Sequence, residues 1–172
     1  MEIKDWASLI GAITGPAGLL IAVFVYFRDR ARVEVSLQWD MRSLSSETIA
    51  VVRCGNFGRR SIFLSHAHIK LPLGADRDID TILFPESVTG VTLMEGSKPH
   101  LIVLDQSNLG MEKYSKYWWK LRATFVDSAG KKYHSDWPIA RPSWAKTVEA
   151  PKLAIRWNKF RNLLRGLRRR FT

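Results

Sequence analysis

The hydrophobic pattern changes period twice along the chain. From Trp6 to Phe27 the run WASLIGAITGPAGLLIAVFVYF holds 22 residues without a charge. A helix of that length covers roughly 33 Å, enough for a bilayer core of about 30 Å. The run therefore predicts a single N-terminal transmembrane helix, with Trp6 at one end and Tyr26 and Phe27 at the other, where amphipathic rings favour the headgroup boundary. A buried core helix would need a polar face to meet water, and a cleaved signal peptide would need basic residues ahead of the run; here Arg28, Arg30 and Arg32 follow it.

Past Arg32 the period drops to two. Val33, Val35 and Leu37 alternate with Glu34, Ser36 and Gln38, and shorter runs follow at Ile49–Arg53, Ser61–Leu71, Ile79–Phe84, Val88–Leu93, Leu101–Leu104, Trp118–Val126 and Lys132–Ser135. Within Ser61–Leu71 the alternation places Ile62, Leu64, His66, His68 and Lys70 on one side and Phe63, Ala67, Ile69 and Leu71 on the other. About seven or eight short strands punctuated by Gly, Pro and Asp predict a mainly β, antiparallel sandwich over residues 33–137. Residues 138–151 contain three prolines and read as a linker. After Pro151 the period is helical again: Leu153, Trp157, Phe160, Leu164, Leu167 and Phe171 make an apolar stripe, with cations at most other positions of 152–172.

Charge sharpens this division. The chain of 172 residues carries a formal +11, yet residues 1–32 contribute +1, residues 33–150 contribute +2, and residues 151–172 contribute +8 with no acid. A near-neutral body with a cationic tail differs from an evenly basic nucleic-acid domain. An Arg-rich helix bearing Trp on its greasy side has the composition of an in-plane membrane helix, so Arg156, Trp157, Lys159, Phe160, Arg161, Leu164, Arg165, Arg168, Arg169 and Arg170 are expected to bind an anionic lipid surface. Nucleic acid would engage the charges and leave the stripe idle; a partner's groove would engage the stripe; the helix could also simply cover the domain.

The N-terminal run has its own pattern. Ala7, Gly11, Gly15, Gly18 and Ala22 form a small-residue stripe of the kind that lets two membrane helices approach, and Pro16 predicts a kink. With Arg28, Arg30 and Arg32 as the stop, residues 1–32 are expected to form a single-pass anchor in the inner membrane, its N-terminus out and the β domain cytoplasmic.

Two turns carry a resemblance. Asn56 to Arg60 reads N-F-G-R-R, and Val126, Asp127, Ser128, Gly130 and Tyr133 form a late V-D-S-x-G-x-x-Y hairpin. In this layout the chain resembles a group of small bacterial single-span membrane proteins with a soluble Ig-like sandwich. The resemblance implies an architecture and a bacterial source, and brings no activity or site residue. Its lone Cys54 cannot form the inter-sheet disulfide of true Ig domains.

No catalytic motif is present. Patterns for nucleophile elbows, zincins, phosphate loops and dinucleotide folds do not occur. His66 and His68 could share a metal, but two histidines alone make an incomplete shell, and Asp76, Asp78 and Asp80 lack the rest of a calcium loop. No cofactor or metal is expected. The sequence thus points to a non-enzymatic, membrane-anchored interaction protein. Its expected partners are a lipid bilayer and a protein or second copy meeting the span or the sandwich; the alternative is a tethered nucleic-acid binder.

Overall fold

The computed structural model describes residues 3–42, 47–71, 81–83, 88–145 and 148–171. In chain order these are helix α1 (Ile3–Arg28), strands β1 (Val33–Arg42), β2 (Thr48–Asn56), β3 (Ile62–Lys70), β4 (Thr81–Leu83), β5 (Thr92–Leu93), β6 (His100–Asp105), β7 (Arg122–Asp127) and β8 (Lys132–His134), and helix α2 (Lys152–Phe171). Tight 3-10 runs occupy Met111–Lys120 and Ser143–Ala145.

The strands form two antiparallel sheets, one in the order β1-β2-β6 and the other in the order β4-β3-β7-β8, with β5 also paired to β3. Val35, Val52, Cys54 and Ile102 of the first sheet pack with Ile62, Leu64, Ala67, Ala123 and Phe125 of the second. Both sheets thereby bury one face against a shared core, which is what period-two alternation requires. A second core lies beyond the end of β3, where Ile69, Leu71, Met111, Tyr114, Trp118, Leu121 and Trp144 meet.

Strand β3 changes face midway. Its pairing with β7 shifts between Leu64 and His66, so a bulge at Ser65 reverses the alternation. Ile62 and Leu64 point inward before the bulge, and Ala67, Ile69 and Leu71 after it. His66, His68 and Lys70 therefore share the face opposite Ile69, not the side of Ile62 and Leu64 expected from simple alternation. The strand expected at Trp118–Val126 is also shorter: the 3-10 run extends to Lys120 and the strand starts at Arg122.

The N-terminal expectation is corrected. Among the described residues no helix is long and apolar enough to cross a membrane. Gly15, Pro16 and Gly18 lie among the described residues of α1 and thin its apolar surface. The single-pass anchor over residues 1–32, its inner-membrane placement and its N-out orientation lose their premise. The fold consists of strands in two sheets plus a few helices.

The residues expected as a membrane stop act as a joint instead. Arg30 places its guanidinium 4.5 Å from the centre of the Tyr26 ring. The Arg32 carbonyl accepts a 2.7 Å hydrogen bond from the Phe57 amide, and Gly58 packs against the backbone of Arg30 and Arg32. The side chain of Arg28 lies outside the described residues. So do those of Ala7 and Gly11 in the small-residue stripe and the acidic triplet Asp76, Asp78 and Asp80. Gly15, Gly18 and Ala22 are exposed, and a Cβ at either glycine would touch nothing within 4 Å.

Candidate functional site

Helix α2 is docked by its polar face. Pro151 starts it, its carbonyl accepting from the amides of Ala154 and Ile155. About two, three and four turns past Pro151, three polar side chains tie the helix to backbone of the body. Asn158 is 4% exposed and donates through Nδ2 to the carbonyls of Trp119 (2.8 Å) and Pro138 (2.9 Å). Asn162 donates to the Trp137 carbonyl and accepts from the Trp137 amide, both at 2.9 Å. Arg165 donates to the carbonyls of Ser135 (2.6 Å) and His134 (3.2 Å) and lies 3.4 Å from the Asp136 carboxylate.

These bonds fix the rotation of the helix. At about 100° per residue, Asn158, Asn162 and Arg165 centre roughly 150° away from the line through Leu153, Trp157, Phe160, Leu164 and Leu167. The stripe consequently faces away from the body. Leu153 is 78% exposed, Trp157 51% and Leu164 49%, and the rings of Trp157 and Phe160 stack on each other at 5.5 Å. Arg156 and Lys159 flank the stripe on one side and Arg161 on the other, all exposed. The side chains of Arg168, Arg169 and Arg170 lie outside the described residues. Among the described side chains of the expected lipid-facing set, Arg165 is hydrogen-bonded to the body and Arg161 lies 5.0 Å from the Trp137 ring.

A second cationic surface, which period and charge counting did not reveal, lies beside α2. On the outer face of the second sheet, register sets His68 opposite Thr124, Thr124 opposite His134 and Lys70 opposite Arg122. Thr124 Oγ1 and His134 Nδ1 are 2.8 Å apart. Burial first, then the positive field of Arg122, Arg165, Lys70 and His68, holds the His134 imidazole down to about 4. His68 is lowered by burial and by His66, Lys132 and Lys70. The one signal in the sequence was the polar series His66, His68, Lys70; its partners on β7, β8 and α2 lie more than 50 residues away.

The remaining motif residues are structural. Asn56, 1% exposed, donates to the carbonyls of Arg60 and Leu93 and accepts from the Gly58 amide, which closes the N-F-G-R-R turn. Asp127 accepts from the amides of Ala129 and Lys131 and from the Tyr133 hydroxyl, which locks the late hairpin around Gly130 at φ 79°. Asp40, Gln106 and Ser143 clamp β1 to the segment after β8 through the Ser143 hydroxyl, the Gln106 amide and the Asp40 carboxylate. Cys54 is fully buried, and burial pushes its thiol up to about 12. The rings of His66 and His68 stack 5.8 Å apart, and among the described residues no three His, Cys, Asp or Glu side chains converge as metal ligands would.

Compared with known protein families, the chain matches none, and no curated protein aligns with it significantly.

Proposed function

We propose that the protein is a non-enzymatic interaction protein that binds an anionic lipid surface through α2. The observation that carries this reading is the outward-facing stripe: the helix is tied to the body by Asn158, Asn162 and Arg165, and its Leu, Trp and Phe side chains are left exposed between cations. Both components have a use at a bilayer surface. The stripe enters the acyl boundary, and each basic side chain near the headgroups adds about 1 kcal/mol. Nucleic acid would satisfy only the cations. This reading needs no helix that crosses the bilayer.

The test is co-sedimentation of the full chain with vesicles of phosphatidylcholine alone or mixed with phosphatidylglycerol. The expected result is binding to the anionic vesicles that weakens with salt and falls at least about tenfold in Leu164→Asp, since burying a leucine contributes about 1.5–3 kcal/mol. Undiminished anionic-vesicle binding by Leu164→Asp and Phe160→Asp would leave the stripe idle and reject the reading. A duplex DNA of equal charge, bound equally by wild type and both variants, would favour the nucleic-acid alternative.

A further inference from the structure

Between the outer face of β3, β7 and β8 and the flank of α2 lies a cavity of about 670 Å³. Its walls bring together Lys70, Lys120, Arg122, Lys132 and Arg161, and among the described residues no carboxylate lines it. Five cations facing one space repel each other, and their field is least screened where water is partly excluded. Asp136, whose carboxylate acts on Arg122, lies 3.4 Å from Arg165 and outside the lining.

Arg122 is held in place from two directions. Its Nε donates to the Ser135 carbonyl at 2.9 Å, and its guanidinium stacks 4.5 Å from the centre of the Trp137 ring. Arg161 covers the same ring at 5.0 Å and reaches the Trp157 ring at 5.2 Å. The guanidinium of Arg122 thus has a fixed plane, yet its Nη2 is buried without a hydrogen-bond partner. A buried donor left unmet is costly, and more so when charged. Burial, reinforced by Arg165 and Arg161, lowers this guanidinium to about 10. The folded protein therefore maintains an electropositive site whose Arg122 guanidinium is held in a fixed plane.

We propose that this cavity binds a phosphomonoester, with Arg122 and Lys70 on the sheet and Arg161 on the helix closing around the phosphate and the Trp137 and Trp157 rings flanking the group it is attached to. A dianion with three acceptor oxygens suits several converging cations better than a carboxylate does. The volume is that of a small-ligand pocket, which accommodates a single phosphorylated molecule, not a strand of linked phosphodiesters. The site goes beyond lipid adsorption by the stripe, because the phosphate could be carried by a free metabolite or by a lipid headgroup with equal chemistry.

The experiment uses the full chain and follows the ring resonances of His68 and His134 at pH 7. Both rings line the cavity, and burial and neighbouring cations hold both imidazoles below their ordinary value. Inorganic phosphate and glycerol 3-phosphate are titrated at constant ionic strength, and phosphatidate vesicles are compared with phosphatidylglycerol vesicles of matched charge. Saturable shifts with the soluble phosphates assign a free ligand; shifts only with phosphatidate assign a lipid headgroup. Either result supports the site if Lys70→Gln/Lys132→Gln, two exposed positions, weakens it about tenfold with an unchanged melting temperature. The variant Leu164→Asp should retain the soluble-phosphate response, which separates this site from the stripe. The proposal fails if no phosphate source shifts either ring, or if the double variant responds as wild type does.

Discussion

Gly58 has no room for a side chain. A Cβ there would fall well inside contact distance of the Arg30 carbonyl oxygen and the Arg32 amide, and both obstacles are backbone. Gly58→Ala should destabilise the protein by about 3 kcal/mol, measured by urea unfolding, at the upper end of ordinary overpacking because the neighbours cannot rotate away. His134 gives a pH dependence of definite sign. Its imidazole titrates near 4 when folded and near 6.5 in an unfolded chain, so between those values only the unfolded state gains the proton. Stability should be fully present above about pH 6.5 and decline as the pH falls toward 4, and His68 adds to the decline in the same direction. A His134→Gln variant should show a flatter profile over that window; an identical slope would mean that another group is titrating. Both residues were visible in the sequence, Gly58 inside a turn motif and His134 in a strand. What each one touches was not visible, because Arg30, Arg32, Arg122 and Arg165 reach them only through tertiary packing.

Among the elements, the strands were legible where alternation was clean and misread where it was interrupted. Val33, Val35 and Leu37 announce β1 directly. The bulge in β3 leaves no signature beyond one irregular step at Ser65, so simple alternation puts the histidines on the wrong face. Tyr117, Trp118 and Trp119 are strong strand formers, yet Trp118 is drawn into the second core with Tyr114 and Met111, and that local packing overrides propensity. Helix α2 was legible in period and length. The stripe was expected to face lipid; what period alone does not announce is that Asn158, Asn162 and Arg165 tie the opposite face to the body. Asn158→Ala would leave two carbonyls, of Trp119 and Pro138, without their donor. A loss of about 2 kcal/mol is expected, seen as faster amide exchange along α2 with the sheets unaffected. Equal loosening of both sheets would indicate that the helix is integral to the core.

For the whole molecule, the uneven charge is the property on which function turns. Eight of the 27 basic side chains sit in the last 22 residues with no acid among them, and Arg161 and Arg165 lie within reach of the sheet face that carries Lys70, Arg122 and Lys132. The composition of residues 6–27 suggested a membrane span, and the correction there removes the anchor without touching α2, whose orientation rests on its own hydrogen bonds. The decisive measurement places an environment-sensitive fluorophore on Leu164→Cys, with Cys54 left in place because its buried thiol does not compete for label. In the free protein the probe should report water, and phosphatidylglycerol-containing vesicles should shift its emission to the blue while phosphatidylcholine vesicles leave it unchanged. A probe already shielded before any vesicle is added, or one that stays in water on bound protein, would contradict the assignment of α2 as the lipid-binding face.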